Sequence, residues 1–167
     1  MYVYILESTL DGSQYVGMNQ WKTYSDPYGR FTVEYPSYWH VIPIDTKNLR
    51  FVPWQEQEFP GFQIAIHEKD LPSSDPDNYR SLKEARRAFT YHVSSLLRKR
   101  DVFDMSVNGK QAFLVRDIAN PDTIGLAHSI SEQVVIDGEQ NVFQLSNLSL
   151  SQTANDPSFA RFYGSFK

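Results

Sequence analysis

Two short segments of this chain alternate strictly between large apolar and polar side chains, and such a chain is committed to strands with a buried face. Phe31, Val33 and Tyr35 alternate with Thr32 and Glu34 up to Pro36, and Phe62, Ile64 and Ile66 alternate with Gln63, Ala65 and His67. A period of two sends one set of side chains to the core and the other toward solvent. Proline has no N–H to give to a ladder, so the first strand ends at Pro36. A corner over residues 37–40 follows, residues 41–42 resume an extended run, and residues 49–52 add a short apolar one.

Tight turns join further runs. Residues 2–6 (YVYIL) and 14–16 (QYV) flank a polar stretch holding Gly12 and read as a β-hairpin. Residues 102–107 and 111–116 flank Asn108-Gly109, a dipeptide suited to the positive φ angles of a two-residue turn. Residues 130–136 lead through Asp137-Gly138 into 142–150. Residues 19–30 (NQWKTYSDPYGR) carry Asp26-Pro27 and Gly29 and read as a turn-rich junction, and 53–61 and 71–79 read as loops.

Two segments have helical spacing. Over residues 81–100, Leu82, Ala85, Phe89, Val93 and Leu96 share one face. Ser81 and Glu84 fit a capping box, and Arg98, Lys99 and Arg100 would close the last turn, where cations favour the carbonyl end. Asp156-Pro157 opens a second helix with Phe159, Phe162, Tyr163 and Phe166 on its apolar side.

Antiparallel strands with segregated helices define an α+β fold: an antiparallel β-sheet flanked by helices, an α/β/α sandwich, with an N-terminal β-hairpin. A length of 167 residues suits a single domain, 1–167, with residues 1–22 as an arm and 23–167 as the body. The expected core comprises Phe31, Val33, Tyr35, Trp39, Phe62, Ile64, Ile66, Leu82, Phe89, Val93, Leu96, Leu114, Phe159, Phe162 and Phe166.

Chemistry is sparse in the pattern. A net charge of −4 disfavours tracking of nucleic-acid phosphates, and the absence of cysteine removes disulfides, thiolate metal sites and cysteine catalysis. His40, His67, His92 and His128 form no ligand pair, and His67-Glu68, Asp75 with Asp77, and Glu56 with Glu58 read as surface. No serine sits in a nucleophile elbow, and the glycines are single. No catalytic residue, cofactor site or metal site is therefore expected. Two surfaces stand out for partner binding. One is the basic set Arg80, Lys83, Arg86, Arg87, Arg98, Lys99 and Arg100, centred on Arg86 and Arg87; the other is the pair of loop aromatics Trp54 and Phe59.

The stretch YSDPYGRFTVEYPSYWHVIP, with Phe31, Tyr35, Pro36 and Trp39, resembles the opening of PsbP-like domains. The hairpin at 108–112 and the closing Ser165-Phe166 continue that resemblance over about residues 23–167. It implies an antiparallel sheet covered by helices and a role in binding, mostly of proteins, without a shared active site. It also implies an exported, lipid-anchored relative, so an extracytoplasmic location is expected, through an export segment removed before Met1, with the cytoplasm as the alternative. Any membrane association would come through that removed anchor.

Separately, YVYILESTLDGSQYVG resembles the first hairpin of GIY-YIG endonucleases, with Tyr4-Ile5-Leu6 and Tyr15-Val16-Gly17 at the signature positions. That resemblance implies two active-site tyrosines beside a helical arginine and a metal-binding glutamate. Here Arg30 adjoins a strand, and no helical glutamate follows at a plausible distance. The sequence thus points to a non-enzymatic, PsbP-like binding or accessory module whose partner is another protein. A divergent metal-dependent GIY-YIG endonuclease and a small-ligand carrier are the alternatives.

Overall fold

All neighbouring strands of the central sheet run antiparallel. The computed structural model describes residues 3–7, 14–18, 20–53, 61–71, 78–91, 97–119, 130–148 and 156–167, with 3–7, 14–18, 91, 97 and 98 by backbone only. Its elements are β1 (Val3–Glu7), β2 (Gln14–Met18), β3 (Trp21–Ser25), β4 (Thr32–Pro36), β5 (His40–Pro43), β6 (Asn48–Val52), β7 (Phe62–Glu68), α1 (Leu82–Tyr91), β8 (Leu97–Val107), β9 (Lys110–Ala119), β10 (Ile130–Asp137), β11 (Asn141–Asn147) and α2 (Pro157–Gly164). Seven strands form the sheet in the order β5-β6-β7-β11-β10-β9-β8, and β1–β2 and β3–β4 form two-stranded sheets of their own. Among the described residues no helix is long and apolar enough to cross a membrane.

The sheet is buried on both faces. On one side β4, α2 and the sheet enclose Phe31, Val33, Tyr35, Phe51, Phe62, Ile64, Val134, Ile136, Phe143, Leu145, Phe159, Phe162 and Phe166. On the other, α1 packs Ala85 and Phe89 onto Phe113, Val115, Val135 and Val142. Adjacent residues such as Val134 and Val135 therefore enter opposite cores, and for that reason Val134–Ile136 of β10 is a continuous apolar run rather than an alternating one. Aromatic plates fill the larger core, with Phe62 and Phe162 ring centroids 4.7 Å apart and Phe31 stacked on Phe166 at 5.4 Å. Trp39, Leu82 and Leu114, placed in the core by their spacing, are partly buried and pack against it. Val93 and Leu96 lie outside the described residues.

Local chemistry sets the element ends. Asp156 caps α2, accepting from the N–H groups of Ser158 at 2.8 Å and Phe159 at 3.4 Å, with proline in the first turn. Asn108 and Gly109 both take positive φ, 48° and 81°, as the two-residue turn between β8 and β9 requires. Asn108 Nδ2 also donates to the carbonyls of Gly164 and Phe166, tying that turn to the end of α2. At the start of α1, Ser81 Oγ accepts from the Glu84 N–H, while the Glu84 carboxylate reaches the N–H of Arg80, one residue before the position a capping box would use.

Two expectations are corrected. The first helix is described over Leu82–Tyr91, and Leu97–Val107 is strand β8, so Arg98, Lys99 and Arg100 belong to a sheet edge and not to a last helical turn. Pairing explains the switch: β8 matches β9 along its length, and Arg100 there donates to both oxygens of Asp117, at 2.5 and 2.7 Å. Tertiary pairing outweighs helix propensity. Arg100 Nη1 still donates to the Phe89 carbonyl at 2.8 Å, so a cation does serve the carbonyl end of α1, but from a strand. The second correction lies in the turn-rich junction, where Trp21–Ser25 is a strand paired with β4 from Trp21↔Pro36 to Ser25↔Thr32. It was hidden because only Trp21 and Tyr24 of its five residues are partly buried.

Candidate binding cleft

Turns and the end of β7 meet at one end of the sheet and line an open cleft of about 560 Å³, formed by Tyr28, Arg30, Thr46, Glu68, Asp70, Leu71, Gln140 and Asn141. The rim is set by the turn Asp26-Pro27-Tyr28-Gly29-Arg30 between β3 and β4. The Asp26 carbonyl accepts from the Gly29 N–H at 2.9 Å, Gly29 has φ 70°, and Pro27 supplies the fixed φ favoured at its position. Asp26 Oδ2 accepts from the N–H groups of Tyr28 and Arg30 at 3.1 and 3.2 Å. The same carboxylate grips the Arg30 guanidinium twice, at 2.9 Å to Nε and 2.8 Å to Nη2. The Tyr28 ring lies 4.7 Å from the Arg30 guanidinium carbon and is 67% exposed.

The electrostatics follow from this geometry. Burial alone would raise the Asp26 pKa, but the Arg30 side-chain and backbone hydrogen bonds, its charge and the Tyr28 N–H together bring it below the ordinary aspartate value. The hydrogen bonds that Arg30 donates to the Asp26 carboxylate in turn raise the Arg30 pKa.

The other walls are anchored as well. Asn78 clamps both backbone groups of Glu68, and the Glu68 carboxylate pairs with Lys47 at 3.3 Å. Asp45 accepts from the Lys47 and Asn48 N–H groups, and side-chain hydrogen bonding from Asn48 leads the causes that lower its pKa. Lys69 reaches across to the Gly138 carbonyl at 2.6 Å and Asp137 at 2.8 Å, joining the end of β7 to the β10–β11 turn. The cleft thus gathers one phenol, one guanidinium, one hydroxyl, two carboxylates and two amides. Such a set recognises polar groups by shape and hydrogen bonding.

The residues singled out from sequence fare differently. Trp54, Phe59, Glu56, Glu58, Asp75, Asp77, His92 and His128 lie outside the described residues. Arg86 pairs with Asp104 and stands 5.9 Å from the Phe113 ring, and Arg87 is exposed on α1. Several cations of the supposed basic surface are engaged: Arg80 with Glu84, Lys99 with Asp101, and Arg100 with Asp117. His67 and Glu68, being neighbours on a strand, point to opposite sides. His67 lies 4.7 Å from the Tyr79 ring, tilted by 45°, and sits 3.3 Å from Gln144 Oε1 beside a second, 370 Å³ hollow, while Glu68 lines the cleft. No group of three or more potential metal ligands occurs among the described residues. The β1–β2 register pairs Tyr4 with Gly17 and Leu6 with Tyr15, and Arg30, the arginine nearest in sequence, is committed to Asp26.

Sequence reasoning missed the cleft, using Asp26-Pro27 and Gly29 only as punctuation. The available signal was an aspartate four residues before an arginine across a Pro/Gly turn, a spacing at which the carboxylate can cap the turn and hold the guanidinium.

No protein-family model matches the chain, and no curated protein matches it. Solved structures do. The solution structure of cyanobacterial PsbP (CyanoP) from Synechocystis sp. PCC 6803 aligns over 96% of this chain and 99% of its own, at 14% identity and a TM-score of 0.57. A crystal structure from Bacteroides thetaiotaomicron VPI-5482 aligns over 90% of this chain at 11% identity and a TM-score of 0.60. This chain spans about half of that protein, 48% of its length. The fold is PsbP-like.

Proposed function

We propose that this PsbP-like module is a non-enzymatic binding protein that holds a segment of another protein in the cleft rimmed by Tyr28 and Arg30. The observation that carries the reading is the fixed Tyr28–Arg30 stack, an exposed phenol lying on a guanidinium that Asp26 holds with two hydrogen bonds. Tyrosine and arginine dominate the energetic centres of protein interfaces, and anchors fixed before binding cost less entropy when they engage. The ion pair between Glu68 of the cleft and Lys47 fits the same reading.

Paired affinity captures test it. Wild-type protein and Tyr28→Ala serve as baits in an extract of the source organism, and each recovered protein is then purified and titrated against both. The reading requires a purified protein that binds the wild type and loses affinity for Tyr28→Ala. Recovered proteins that bind both forms equally would place the interface elsewhere.

A further inference from the structure

We propose that β8 is a self-complementary edge through which two copies of this chain pair antiparallel, joining their sheets into one. The sheet has two edges of different character. β5 is four residues long and carries Pro43, whereas β8 runs for eleven residues without proline, and no strand pairs with its outer side among the described residues. Such an edge presents a row of backbone donors and acceptors to any matching strand. The turn at Asn108-Gly109 closes on the Val107↔Lys110 pair, and β8 follows β9 in regular register from there to Lys99↔Ile118. Alternation of ladder bonds then directs the odd-numbered backbone groups of β8 to β9 and those of Arg100, Val102, Asp104 and Ser106 to the open edge.

Charge selects the register. Two identical antiparallel strands in one continuous sheet must pair residues of the same face, so the twofold axis passes through a residue. Centred on Val102, the overlap takes in the regular stretch Lys99–Met105 of both copies, leaves the irregularity at Leu97/Lys99 at its ends, and sets Arg100 opposite Asp104 of the second copy, twice. Centring on Asp101 or Arg100 would oppose a charge to itself, and centring on Phe103 would set Asp104 against Val102. Opposite charges across a strand pair stabilise it and like charges oppose it. Asp104 is well placed for this contact, being 78% exposed while paired with Arg86. Arg100 is held by Asp117 on the same face. The register therefore builds an alternating row of Asp117, Arg100, then Asp104 and Arg86 of the second copy.

Sedimentation of the whole chain over a concentration series tests the pairing, together with Asp104→Arg and Val102→Cys. The wild type should show twice the monomer mass, and Asp104→Arg, which opposes arginine to Arg100, should weaken the dimer at least tenfold. The chain has no cysteine, so Val102→Cys introduces one thiol. At a hydrogen-bonded antiparallel pair it meets its symmetry mate at about 5.5 Å between Cα atoms, within disulfide reach. Mild oxidation should then give a covalent dimer, while Thr90→Cys on α1 should not. This variant carries the test even if Asp104→Arg fails to fold. A wild type that stays monomeric at every concentration would overturn the proposal, as would a dimer indifferent to Asp104→Arg that leaves Val102→Cys uncrosslinked.

Discussion

The Tyr28 ring rests 4.7 Å from the guanidinium carbon of Arg30, and this stack, held from below by Asp26, gives the cleft its rim. The aspartate is the keystone. Its side chain is 1% exposed and receives two backbone and two guanidinium hydrogen bonds.

Asp26→Ala should lower stability by about 2–3 kcal/mol, the range for losing hydrogen bonds to a charged group that leave their donors unsatisfied. Chemical denaturation measures it. The pH dependence follows from the direction of the shift. The folded carboxyl titrates below the unfolded one, so its contribution is complete above the ordinary aspartate value, about 3.9, and is lost as pH falls through the depressed folded value. The wild type and Asp26→Asn should therefore converge in stability toward low pH. A constant gap between them down to the acid transition would contradict the assignment.

Phe89→Ala should cost about 3–4 kcal/mol, from lost transfer energy plus the cavity left between α1 and the sheet. Phe89 is the largest side chain that α1 contributes to its core and meets the Phe113 ring at 6.0 Å. Urea unfolding that moves by less than about 1 kcal/mol would mean that α1 does not pack on β9 and β10 as described.

At the β8–β9 turn, Gly109→Val should destabilise by about 1–2 kcal/mol, since a β-branched residue resists positive φ. Asn108→Gly keeps the backbone freedom but loses both bonds to the end of α2, so it should cost about 1–2 kcal/mol through that tether. Thermal melts of the two variants separate the contributions. A neutral Asn108→Gly would show that the tether adds nothing.

What could be read from the sequence was local. Asn108-Gly109 and Asp156-Pro157 carry their turn and cap in the residues themselves, and both stand where they were expected. The alternation of Phe31, Val33 and Tyr35, and of Phe62, Ile64 and Ile66, marked strands whose faces are buried as read. Local patterning failed where long-range contacts decide. The helical spacing at Val93 and Leu96 ran on into Leu97–Val107, whose state is fixed by β9, and Trp21–Ser25 has too few buried residues to announce a strand. The cleft was illegible for the same reason. Tyr28, Thr46 and Gln140 come from turns far apart in the chain and Glu68 from the end of β7, and only the antiparallel sheet with the β3–β4 hairpin packed on it brings them together.

The most direct measurement is the dissociation constant of a purified protein partner for the wild type and for Tyr28→Ala, with Thr90→Ala, at an exposed position of α1, as a surface control away from the cleft. An anchor residue of this kind contributes about 2 kcal/mol or more, which is roughly a 30-fold change in Kd. The account predicts a loss of that size for Tyr28→Ala, a comparable loss for Arg30→Ala, and no change for the control. A Kd that stays the same in both cleft variants, with the fold intact, would contradict it.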